Sequence, residues 1–199
     1  MNNEILQSHG CNNVLLTSAD FVRANTSISD NMNGKILNSV IVESQEIDLQ
    51  RIIGNCMLNK LKQLVKDNEI NEENNSYYKD LLDKAQYFMA YSAVSKLCVL
   101  ATYKLDNAGL LKTSDEMIEI ASEDEVFDLA DYWQKKADWF AHDLQNYILD
   151  NLKHLPEITE TQYHQIKSCL YSAGSSNLFL GGARGKGFRR YPYRYKYDA

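Results

Sequence analysis

The stretch "YYKDLLDKAQYFMAYSAVSKLCVLATYKL", residues 77–105, most restricts what this chain can fold into. Tyr87, Phe88, Tyr91, Val94, Leu97, Cys98 and Ala101 keep helical spacing and leave little polar surface. A helix that is apolar nearly all round needs cover on every side. It is therefore expected at the centre of a bundle, wrapped by the chain's other elements or by another subunit. Its uncharged core between Lys84 and Lys96 is about half of the ~20 residues that span a bilayer, so no membrane partner is expected.

The surrounding segments supply helices to wrap it. Ile36, Leu37, Val40, Ile41 and Ile47 are spaced for a helix after "SISD", and a short element opens at Thr17, with Asp20 three residues on. In "DLQRIIGNCMLNKLKQLV" Gly54 interrupts two apolar turns, which predicts a short helix, a break, and a helix from about Asn55 to Lys66. The polar run "KDNEINEENNS" reads as a loop.

Downstream, Ser122 and Glu125 form a capping box, with Ala121 and Val126 placed as its staple and acids filling the first turn. The stripe that follows runs through Val126, Leu129, Ala130, Trp133, Ala137, Phe140, Leu144, Tyr147 and Ile148, and Pro156 is expected to close it. A last helix opens at Thr159, with Gln162 completing "TETQ", and stops at Gly174. Between the long helices, Leu110–Lys112 and Met117–Ile120 suit a small hairpin turning at residues 113–115. The expected class is mostly α: a helical bundle over residues 1–174, with one small β-hairpin or loop at about 109–120, and an extended tail at 175–199.

Charge separates tail from body. The chain's net charge is −6, yet residues 181–199 carry six cations against Asp198 alone. An acidic body should not hold nucleic acid through its general field, whereas the tail could. Cys11, Cys56, Cys98 and Cys169 form no CxxC pair, and "MNNEILQSHGCNN" lacks a signal-peptide pattern. Reduced thiols inside a cell are the simplest expectation.

Tests for chemistry return little. "GGARGKG" has Leu180 and Gly187 where a phosphate loop needs glycine and Ser or Thr. His9, His142, His154 and His164 form no HExxH and no Cys/His quartet. The acids from Asp115 to Asp131 lack the offsets and central glycine of an EF-hand. Neither catalysis nor a cofactor or metal is expected.

The tail is the candidate site. Tyr191, Tyr193, Tyr195 and Tyr197 alternate with Pro192, Arg194 and Lys196, after Arg184, Lys186, Arg189 and Arg190. Three readings apply. A disordered end would carry fewer aromatics. Nucleic-acid binding would use arginines on phosphates and tyrosines as stacking surfaces. Strand addition to a protein partner uses the two-residue period, because alternate side chains of a strand share a face. The strict alternation favours the partner reading, and nucleic-acid binding through the tail is the alternative.

The order "LLTSADFVRA", "SISDNMNGKILNSVIVESQEIDLQRIIGNCMLNKL", "YYKDLLDKAQYFMAYSAVSKL", "DNAGLLKTSDE" and "DLADYWQKKADWFAHDLQNYI" resembles the head–tail connector (adaptor) proteins of tailed bacteriophages, especially the ring proteins of crAss-like phages. The likeness covers roughly residues 15–155 and excludes the tail. It implies a non-enzymatic virion protein that self-assembles into a ring, usually of about twelve copies. Such a ring docks on the portal protein and the next tail or ring protein, in the neck between capsid and tail. It continues the channel through which packaged DNA slides without sequence-specific contact. Assembly in the host cytoplasm and a hairpin facing the channel are further implications.

Overall fold

The computed structural model describes residues 14–106, 109–112 and 122–171. Its elements run α1 (Ala19–Asn25), α2 (Gly34–Glu43), a π-helical turn (Ser44–Leu49), α3 (Gln50–Lys66), a short 3-10 turn (Glu73–Asn75), α4 (Ser76–Thr102), β1 (Tyr103–Asp106), β2 (Gly109–Lys112), α5 (Glu123–Asp150), a second 3-10 turn (Leu152–His154) and α6 (Glu160–Tyr171). The fold is mostly α, as the periodicity predicts. Among the described residues, no helix is long and apolar enough to cross a membrane.

Helix α4 is the centre. Phe88, Met89, Ala90, Ser92, Ala93, Val94 and Ser95 are all buried, which accounts for nearly every direction around two turns. The chain's own elements provide this cover. One cluster joins Leu49, Ile53, Met57, Leu58, Leu61, Leu81, Ala85 and Phe88 to Leu144, Ile148, Leu155 and Ile166. A second packs Val22, Leu37, Val40 and Ile41 of α1 and α2 against Ala90, Ala93, Val94, Leu97 and Trp133. Over these two turns the apolar circumference of α4 is covered without a second subunit, while Tyr87 and Leu100 of the same helix stay 38% and 45% exposed.

Helices α4 and α5 pack antiparallel along most of their length. The Tyr147 hydroxyl donates to the Tyr77 carbonyl at 3.1 Å, Lys84 pairs with Asp143 at 2.7 Å, and the Ser95 hydroxyl donates to the Ala130 carbonyl at 2.9 Å. These three contacts fix the register from one end of the pair to the other.

Local signals placed several boundaries. Ser122 caps α5 with the full reciprocal box: its amide donates to Glu125 Oε2 at 2.8 Å, and the Glu125 amide donates to Ser122 Oγ at 3.3 Å. Thr159 and Gln162 make the same exchange at α6. Gly54 breaks α3 where expected, with φ +79° and ψ 164°. That conformation strains any residue with a Cβ, and a Cβ there would collide with the Gln162 side chain. The start of α6 thus docks on the break in α3.

Other boundaries moved. Ser18, not Thr17, caps α1, accepting from the Phe21 amide at 3.0 Å, while Thr17 is buried. Helix α5 ends at Asp150, and a 3-10 turn intervenes before Pro156.

The hairpin lies earlier than the 109–120 expected. Tyr103–Asp106 pairs antiparallel with Gly109–Lys112, in the register Tyr103↔Lys112 to Asp106↔Gly109. The two residues between the strands are a normal hairpin spacing. The first strand was hidden because apolar helical periodicity continues to Leu105. Residues 113–121, including the expected second strand and Ala121, lie outside the described residues.

Candidate interaction surface

Helix α5 has two apolar sides, and only one is spent on the core. Val126, Ala130, Trp133, Ala137, Leu144 and Ile148 face α4 and are buried. Leu129, Tyr132, Lys136 and Trp139, spaced three, four and three, form a second row on the outer flank. Leu129 is 49%, Tyr132 50% and Trp139 63% exposed. Leu129, expected in the core stripe, belongs instead to this outer row.

Rings from three helices stiffen the row from beneath. Phe140 stacks on Tyr91 at 5.0 Å and on Tyr87 at 5.4 Å between centroids, and Tyr87 meets Phe21 of α1 edge-on at 5.3 Å. Trp139 stands edge-on to Phe140 at 4.9 Å, and Tyr132 edge-on to Trp133 at 5.3 Å. The Lys136 ammonium lies 4.5 Å from the Tyr132 ring centroid and 4.7 Å from that of Trp133. Electron-rich ring faces attract cations in this way, and the row places its one lysine against them. Helix α5 also holds eight acids against two lysines.

A different set of polar groups is buried inside the bundle, at the π-helical turn. The wider turn directs Ser44, Gln45, Asp48 and Leu49 inward together. Asp48 accepts from Ser92 at 2.5 Å and pairs with Lys96 at 2.7 Å, and Lys96 also reaches Glu43 at 3.1 Å. Lys62, 2% exposed, pairs with Glu46 at 2.6 Å. Gln45 accepts from the Leu16 amide at 2.7 Å and donates to the Val14 carbonyl at 3.0 Å, holding the segment before α1. π-Helical turns often mark functional positions. Here the polar groups are engaged with one another and lock α2, α3 and α4 in register.

Among the described residues, three groups have shifted acidities. Burial and the adjoining Glu157 carboxylate push the Tyr78 phenol up to about 12, and Tyr78 donates to Glu157 at 2.9 Å. Burial, then the Asp80 charge, push Tyr147 up to about 12. Burial raises the Cys98 thiol, which keeps it in its less nucleophilic protonated form. Among the described residues, no three or more His, Cys, Asp or Glu are grouped to hold a metal ion. His142 is exposed on α5.

The predicted tail site, Arg184, Lys186, Arg189, Arg190, Tyr191, Tyr193, Arg194, Tyr195, Lys196 and Tyr197, lies entirely outside the described residues. So does the boundary expected at residue 174. The sequence reading missed the outer row of α5, although its three-and-four spacing beside the core stripe was a usable signal.

By fold and surface the molecule is a helical module with a closed core and an outward aromatic face. The chain belongs to a protein family of unknown function, DUF6712, whose pattern matches residues 49–167. That span begins at the last residue of the π-helical turn and takes in α3, the α4–α5 pair and most of α6. Comparison with curated proteins and with solved structures returns no match.

Proposed function

We propose that the chain is a structural virion protein of the head–tail connector type. In this reading the helical body assembles into a ring between the portal and the tail. The carrying observation is the Leu129–Tyr132–Trp139 row: three large apolar side chains stay about half exposed or more on a body whose core is complete without them. Exposed apolar residues grouped on one face characterise protein interaction surfaces. The order of segments resembling connector proteins supplies the class, and the acidic body suits a channel along which DNA slides rather than binds.

The tail serves as the joint in this account. Residues 178–197 grip an adjoining ring or the portal through alternating tyrosines and cations. Removing residues 181–199 is expected to leave the helical signal of the body intact and to abolish the joining of heads to tails in an assembly assay. Normal joining by the truncated protein would refute the role of the tail. A particle mass of about twelve chains is expected for the ring, and a strictly monomeric protein would refute it.

A further inference from the structure

The outer row of α5 needs an occupant, and its electrostatics narrow the choice. A second α5 face is a poor one, because each helix carries eight acids against two lysines and two such faces repel. A cationic, aromatic segment is a good one. Its arginines would lie over Tyr132 and Trp139 as Lys136 already lies over Tyr132, and its rings would cover Leu129. The chain contains one such segment: residues 184–197 hold six cations and four alternating tyrosines.

Reach is sufficient. Helix α6 packs on α5, and its Ile166 joins the core cluster that holds Ile148, at the far end of α5 from Leu129. Nine residues separate Ile148 from Trp139, or ~14 Å along the helix. Twelve residues lie between Tyr171 and Arg184, enough for ~40 Å of chain. The segment is thus long enough to leave the end of α6 and span the distance from Ile148 to Trp139 with chain to spare.

We propose that residues 184–197 of one copy dock on the Leu129–Tyr132–Trp139 face of a neighbouring copy. The donor being a second copy rests on the ring reading above, and here the neighbouring copy takes the place of the portal or adjoining ring as the partner of residues 184–197. The chemistry of the face does not depend on that reading. Arg189, Arg190 and Arg194 supply the cations, and Trp139 is the central anchor, since tryptophan and arginine carry a disproportionate share of interface energy.

The test uses full-length protein and sedimentation analysis of mass. A face variant (Tyr132→Ala with Trp139→Ala) and a segment variant (Arg189→Ala, Arg190→Ala and Arg194→Ala) are each expected to weaken self-association at least about tenfold. Mixing them one to one joins an intact segment to an intact face and should restore pairs, though not larger particles. If the native chain assembles and neither variant changes its mass, the docking is refuted while the ring reading stands. If both variants lose mass but their mixture forms no pairs, docking between copies is refuted, and the segment sits on its own body. A native chain that is monomeric at every concentration refutes both.

Discussion

Helices α4 and α5 have nearly the same length, 27 and 28 residues, and lie side by side, yet they solve opposite problems. Helix α4 spends nearly its whole circumference inside the molecule over its central turns, sheathed by α2, the π-helical turn, α3 and α5. Helix α5 spends one side on α4, then sends an aromatic row and an acid-rich surface outward. The difference separates two jobs that one amphipathic helix often combines. Stability is concentrated in the inner helix, and recognition is assigned to the outer flank of its partner.

Substitutions can break that comparison. Phe88 is fully buried at the centre of α4, and Phe88→Ala is expected to cost about 3–5 kcal/mol in chemical denaturation. A loss under 1 kcal/mol would mean that α4 is not the core. Gly54→Ala tests how firmly α3 and α6 brace the pair. Its strained φ alone predicts a loss of about 1–3 kcal/mol. Adding Gln162→Ala should relieve only the steric part, so full recovery in the double variant would refute the backbone argument. Ser122→Ala removes the cap of α5 and should cost about 1 kcal/mol, visible as a lower unfolding midpoint with no change in the packing of α4.

Base sharpens the comparison at the far end of the pair, where Tyr78 and Tyr147 sit. Both phenols titrate higher in the folded protein than their ordinary value of 10.0, at about 12. The folded state therefore holds its protons longer than the unfolded chain. The stability they contribute is fully present below pH 10 and drains away as pH rises toward 12. Tyr78→Phe should flatten part of that decline in denaturation curves taken across this range; an unchanged slope would argue against the shift.

Much of this organisation was legible in local sequence, because its causes are local. A serine three residues before a glutamate, a threonine three before a glutamine, and a glycine between two apolar turns each act within one helical turn. They placed the starts of α5 and α6 and the break in α3. The hairpin slipped because strand pairing is decided between segments, and the pattern before Leu105 was helical. The Asp48–Lys96 and Lys62–Glu46 pairs were invisible for the same reason: nothing within Lys62's own turn of helix indicates that a carboxylate partner will arrive from Glu46. The row on α5 was partly visible, since its spacing is in the sequence. Which of two adjoining apolar stripes faces inward is decided by α4.

The division between inner and outer helix is tested most directly by Trp139→Ala, read for both stability and mass. Among the described residues, Trp139 is the most exposed of the large apolar side chains, and it meets Phe140 edge-on. The unfolding free energy should stay within about 1 kcal/mol of the native value, while the mass of the assembled particle falls. A variant that is destabilised by several kcal/mol, or that is as stable as the native chain and assembles to the same mass, would contradict the assignment of the outer row to recognition.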